Sequence, residues 1–178
     1  MTFLKNKKFK AGFSLIELLV AMSIIILLST LMIVNTRSSE KRRNLTMEAQ
    51  KLVADLRQSQ NKSMSGSGVY QSGYKGYGVY VNSAQNDRYI LYGEPLNPTD
   101  DYSRNGNETT IETKQFSRAR IRSVSTSGSA GILFLSPDPI TYINGATGGS
   151  VTIVIESTED SSLSATIDVN GAGLISVN

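Results

Sequence analysis

From Phe13 to Val34 the chain reads FSLIELLVAMSIIILLSTLMIV, apolar on every side and broken by one charge, Glu17. As a helix rising about 1.5 Å per residue, this run is about 33 Å long, enough to cross a hydrocarbon core of about 30 Å. From Ser38 to Ser65 there is neither proline nor glycine, and Leu45, Ala49, Leu52, Val53, Leu56 and Met64 recur near helical spacing. Glu48, Lys51, Asp55, Arg57, Gln58 and Lys62 fall on the other faces. The spacing predicts one helix from Ser14 to near Ser65, apolar all round at first and amphipathic later. Ser65-Gly66-Ser67-Gly68 ends it and begins a flexible link.

Beyond the link the pattern changes to short runs rich in β-formers and bounded by turn residues. Gly78–Val81, Arg88–Tyr92, Thr109–Gln115, Arg118–Val124, Ile132–Leu135, Val151–Glu156, Ala165–Asn170 and Leu174–Val177 are the predicted strands. Asn82–Asp87 closes the first hairpin, and Asn170-Gly171-Ala172-Gly173 closes the last. Pro95–Asn107 is polar and reads as a long surface loop, and Ser136-Pro137-Asp138-Pro139 as turn chemistry. Strands without intervening helices predict an antiparallel sheet or small sandwich, so the fold class is α+β with a long N-terminal helix packed on a β-rich domain. Val79, Val81, Ile90, Ile121, Leu133, Leu135, Ile153, Ile155, Ile167 and Val169 are the expected core of that domain.

Composition narrows the chemistry. The chain has no cysteine, histidine or tryptophan. That excludes disulfides, thiolate metal sites and cysteine nucleophiles, and removes the commonest general base and metal ligand. No nucleophile–base constellation presents itself, so no catalytic residue, metal or cofactor is expected. The glycines at 66, 68, 73, 76 and 78 do not follow a strand and open a helix, as a phosphate loop requires. The formal charge of +3 rests on Lys5, Lys7, Lys8 and Lys10; without those four, 14 bases face 15 acids. The lysine-rich start belongs on the cytoplasmic side by the positive-inside rule. Secretory cleavage is disfavoured, because the apolar run is too long and Asn35-Thr36-Arg37-Ser38 follows it without an A-x-A pattern.

Glu17 is the informative charge, since an acid in a membrane helix costs about 2.5–3.5 kcal/mol at its centre and usually marks a partner. The surrounding string Lys10-Ala11-Gly12-Phe13-Ser14-Leu15-Ile16-Glu17-Leu18-Leu19-Val20 resembles the prepilin signature of type IV pilins and type II secretion pseudopilins. The resemblance implies cleavage by a membrane-embedded prepilin peptidase between Gly12 and Phe13, then N-methylation of Phe13. It also implies an assembly role for Glu17, whose carboxylate neutralises the new ammonium of another subunit and fixes register in a filament. On that basis residues 1–12 are a leader, 13–35 a transmembrane and filament-core helix, 36–65 its amphipathic continuation, and 66–178 a β-rich pilin domain. The implied partners are the peptidase, other pilin or pseudopilin subunits and an inner-membrane assembly platform. The implied location is the bacterial inner membrane, single-pass with a cytoplasmic N-terminus and an extracytoplasmic C-terminal domain, and then a filament. The chain departs from many pilins in having Val34 and Asn35 where a helix-breaking proline is common, and Ile26 where glycine is frequent.

The segment Ala49-x-x-Leu52-x-x-Asp55-Leu56-Arg57-x-x-Gln60, leading into Gly76-Tyr77-Gly78-Val79-Tyr80-Val81, is similar to the GspH/FimT group of minor pilins, as is the closing Thr166–Val177 hairpin. Nucleic acid is the rival ligand, because some FimT-like pilins bind DNA for uptake. Arg118, Arg120 and Arg122 alternate along a strand and would form a phosphate-contact ladder, with Arg104 and Lys114 nearby in sequence. Against it, residues 123–178 carry five acids and no base. The other alternative is an unprocessed β-domain on a single-span anchor. Tyr70, Tyr74, Tyr77, Tyr80, Tyr89 and Tyr92 read as strand residues half-buried on a sheet, ahead of a stacking platform.

Overall fold

A computed structural model describes residues 12–65, 73–96, 102, 104, 106–135 and 140–178, without the side chains of 31–36. Residues 1–11 of the expected leader, the Gly66–Gly68 link, Tyr70 and the Ser136–Pro139 turn lie outside the described residues. The chain divides into two units, Met1–Ser39 and Glu40–Asn178.

Helix α1 runs Leu15–Met64, within a residue of the expected span at each end. In the first unit the described apolar side chains are exposed, with Phe13 85% accessible just before the helix and Leu15 84% and Ile26 67% within it. Among the described residues no helix is long and apolar enough to cross a membrane. The side chains of residues 31–36 lie outside the described ones, and with them the last part of the expected Phe13–Val34 span.

In the second unit the same helix turns one stripe inward. Leu45, Ala49, Leu52, Val53 and Leu56 are buried, as the periodicity predicts. Met64 is not: it is exposed, and Ser63 takes the inward position, its hydroxyl accepting from the Tyr77 backbone N–H at 2.9 Å. Glu48 and Asp55, expected on the solvent faces, are also buried.

The ten strands among the described residues form two antiparallel sheets. The six-stranded sheet has the order β3-β2-β1-β5-β6-β7 and the four-stranded sheet β10-β9-β8-β4. Their ranges are β1 Tyr74–Asn82, β2 Arg88–Pro95, β3 Thr109–Gln115, β4 Ala119–Val124, β5 Ser129–Leu135, β6 Thr141–Ile143, β7 Ala146–Thr147, β8 Ser150–Ser157, β9 Ser164–Asn170 and β10 Ile175–Val177. All eight expected strands are present, and β6 and β7 are additional. A 3-10 turn at Ser83–Gln85 joins β1 to β2, capped by Asn82. The Asn170–Gly173 turn joins β9 to β10, with Asn170 Oδ1 accepting from the Ala172 and Leu174 N–H groups and Gly173 at φ +79°. The backbone N–H of Ile121 on β4 donates to the Asn86 carbonyl at 2.8 Å, tying the second sheet to the first hairpin of the other.

The core joins the buried helix stripe to Val79, Val81, Leu91, Ile132 and Phe134 of one sheet and Ile121, Ile153, Ile155, Ile167 and Val169 of the other. Three expected core residues differ. Ile90 and Leu135 are only partly buried, and Leu133, though buried, lies outside the main cluster. The reason is the two-residue pleat: Ile90 and Leu133 point to the face of their sheet opposite Leu91 and Ile132. That opposite face is built around glycines. A Cβ on Gly78 would fall 2.5 Å from the Tyr92 ring, so the glycine lets Tyr92 lie flat on the sheet. Arg104 covers it, its guanidinium 4.4 Å from the Tyr80 ring centre and 5.6 Å from that of Tyr92. Within the Pro95–Asn107 segment, Tyr102 and Arg104 are therefore half-buried against the sheet, while Leu96, Gly106 and Asn107 are exposed as expected of a surface loop.

Candidate functional site

The residues expected to carry processing and assembly lie at the start of α1. Gly12, Phe13 and Ser14 are non-helical and exposed, and no described atom comes within 4 Å of a Cβ built on Gly12. Ser14 is the N-cap: its hydroxyl accepts from the Glu17 N–H at 3.2 Å, and its carbonyl accepts from the N–H groups of Glu17 at 3.1 Å and Leu18 at 3.2 Å. Glu17 thus occupies the third helical position, where its charge complements the positive end of the helix dipole. Ser-x-x-Glu is also the spacing of a capping box. Here the box is one-sided. Among the described residues the Glu17 carboxylate has no hydrogen-bond or ion-pair partner. Both halves of this arrangement are visible in the sequence, but only the folded chain shows which half is in use.

The expected arginine ladder is altered by its own neighbours. Arg120 and Arg122 lie on β4, while Arg118 precedes it. Arg120 sits directly across from Glu156 of β8, and its Nε donates to Glu156 Oε1 at 2.7 Å. A register shift between Ile121 and Ser123 brings Arg122 Nε to 3.8 Å from the other oxygen of the same carboxylate. Arg118 reaches Glu40 at 3.7 Å and Glu159 at 3.6 Å. All three side chains are about half exposed, so these pairs add little stability, but each guanidinium already faces a carboxylate. The other two bases of that group are occupied as well. Arg104 stacks on Tyr80 and Tyr92, and Lys114 donates to Asp55 Oδ1 at 2.8 Å.

That last contact is one that sequence reading missed. Tyr89 of β2 donates its hydroxyl to Asp55 Oδ2 at 2.5 Å, and Lys114 of β3 holds the other oxygen. One carboxylate on the helix is therefore clasped from two adjacent strands. Burial and the neighbouring Asp55 carboxylate push the Tyr89 hydroxyl well above the ordinary tyrosine range, and the Asp55 bond raises Lys114. Both donors keep their protons at neutral pH. Glu48, Lys51, Glu112 and Thr113 complete the open cleft around them. Its acids are tied up as a structural network, with Lys51 on Glu48 at 2.9 Å and Glu112 3.9 Å from Lys114. Among the described residues no group of three or more acids is placed to hold a metal.

Of the expected tyrosine group, Tyr74, Tyr77 and Tyr80 are half-buried, and Tyr89 and Tyr92 are buried. They are sheet residues, with Tyr74 and Tyr77 in edge contact at 5.9 Å.

Residues 7–33 match the prokaryotic N-terminal methylation motif, which is consistent with a type IV pilin or pseudopilin. The match includes Gly12, Phe13 and Glu17 and stops before the β-domain. No curated protein and no solved structure matches the chain.

Proposed function

We propose that this chain is a structural subunit of a bacterial type IV pilus or type II secretion-like filament, a minor pilin or pseudopilin. In this reading a prepilin peptidase cuts between Gly12 and Phe13, and Phe13 is then N-methylated. Residues 13–35 hold the subunit in the inner membrane, with the lysine-rich leader cytoplasmic and the β-domain extracytoplasmic. The helix then leaves lipid for the core of a filament, on an assembly platform with other subunits of its kind. Glu17 sets the axial register by meeting the ammonium of another subunit. The observation that carries the reading is the methylation motif over residues 7–33. The exposed apolar helix and the Glu17 carboxylate, unpartnered among the described residues, support it.

Intact-mass analysis of protein from its native host is expected to give a chain beginning at monomethylated Phe13. Recovery of the chain with Met1–Gly12 attached would leave only a tethered β-domain.

In the same reading Arg118, Arg120 and Arg122 serve the domain's own ion pairs. The full chain in detergent, titrated with duplex DNA at two salt concentrations, is then expected to show no salt-dependent binding at micromolar protein. A binding constant falling steeply with salt would restore the arginines to a phosphate-contact role.

A further inference from the structure

Ser14 lies one residue beyond the bond that the proposed function assigns to the peptidase. A peptidase seats its substrate as an extended strand, so that backbone N–H and C=O groups are free to pair with the enzyme. A peptide bond inside a helix offers neither. Where α1 begins therefore decides whether Gly12–Phe13 is presented or hidden.

The structure fixes that start through one side chain. The Ser14 hydroxyl takes the Glu17 N–H, the Ser14 carbonyl takes those of Glu17 and Leu18, and residues 12–14 stay outside the helix. The sequence supplies little else to stop the helix there. Phe9, Lys10 and Ala11 precede Gly12, and a single glycine costs only about 1 kcal/mol relative to alanine in a helix interior. Beside lipid the pressure runs toward extension, because an uncapped first turn leaves N–H groups without water to satisfy them. Growing backward by one turn would satisfy them and would draw Phe13 and Gly12 into helical hydrogen bonds.

We propose that Ser14 is a positioning residue for cleavage: by capping α1 it holds the Gly12–Phe13 bond in non-helical backbone, where a peptidase can seat it. This rests on the proposed processing at that bond. It separates two jobs within the Ser-x-x-Glu box. The serine sets the start of the helix, and the glutamate carboxylate stays free for another partner.

The test uses the full-length chain in membranes containing a prepilin peptidase, with cleavage followed by the gel shift and mass of the product. Ser14→Ala is expected to slow cleavage about three- to ten-fold, in keeping with the usual worth of an N-cap. Ser14→Asp and Ser14→Asn, which cap as well as serine but carry different groups, are expected to restore near wild-type rates. Amide exchange at Glu17 is expected to speed in Ser14→Ala alone among these variants, tying the cleavage rate to the cap. Wild-type cleavage of Ser14→Ala overturns the proposal. Equal slowing in the alanine, aspartate and asparagine variants also overturns it, since the enzyme would then be reading the serine hydroxyl itself. An uncut wild-type chain, by contrast, removes the processing assignment, and the proposal falls with it.

Discussion

Asp55→Ala is expected to destabilise the β-domain by about 2–3 kcal/mol, more than truncation of any other polar side chain described above. Asp55 is buried, and its two oxygens are held by Tyr89 at 2.5 Å and Lys114 at 2.8 Å. Truncation leaves the Tyr89 hydroxyl, itself on a buried residue, without its acceptor. It also strands the Lys114 ammonium beside the helix. A fully buried pair broken from one side costs about 3–5 kcal/mol, but Lys114 is about one-third exposed and water recovers part of that. Urea unfolding of the full chain in detergent, followed by tyrosine fluorescence, measures the loss. Tyr89→Phe, which removes one bond and keeps the ring, should cost about 1 kcal/mol. A change below about 0.5 kcal/mol in Asp55→Ala would mean that the apolar stripe alone holds the helix to the sheets. The pH dependence has a definite sign. Both donors have raised pKa values in the folded state, so their contribution is complete below the ordinary lysine and tyrosine values, 10.5 and 10.0, and is lost as pH rises beyond them. The clasp is expected to hold across neutral pH and to weaken in strong alkali.

Glu17→Ala is expected to leave cleavage at Gly12–Phe13 intact while lowering incorporation into filaments about ten-fold or more. If the mature chain begins at Phe13, its ammonium enters an apolar environment, and an uncompensated charge there costs several kcal/mol. The Glu17 carboxylate has no partner among the described residues, so its removal disturbs no bond within that part of the subunit. The loss should therefore emerge only on assembly. Sheared filaments and membrane fractions, probed for the subunit, separate the two steps. Filament incorporation equal to wild type would remove Glu17 from the assembly mechanism, whatever the state of the N-terminus.

Much of this architecture is readable from periodicity. The absence of proline and glycine from Ser38 to Ser65 sets the helix end, and the apolar repeats from Leu45 to Leu56 set its buried face. The strands are legible wherever β-branched residues alternate over four or more positions. Strands β6 and β7, at three and two residues, are too short to carry a pattern. What stays hidden depends on partners far apart in the chain. Asp55 looks like a solvent-facing acid until Tyr89 and Lys114 arrive from strands 34 and 59 residues away. Arg118, Arg120 and Arg122 look like a ligand-binding row until Glu156, Glu159 and Glu40 are folded against them. Charge in a sequence announces its sign and spacing but not its counter-ion. At the N-terminus the reverse holds: Gly12, Phe13 and Glu17 are singled out by local spacing, because the motif they match is a short contiguous segment.

The two-strand grip on Asp55 also has a mechanical meaning. Apolar side chains resist being lifted apart but let one surface glide over another at modest cost, since area uncovered at one end is covered again at the next. A carboxylate pinned by donors from β2 and β3 cannot glide, because both bonds must rupture together before the helix advances along the sheet. If the chain serves as proposed, in a fibre pulled along its length with force entering each subunit through its helix, Asp55 would act as a shear pin that keeps the β-domain from being stripped off that helix.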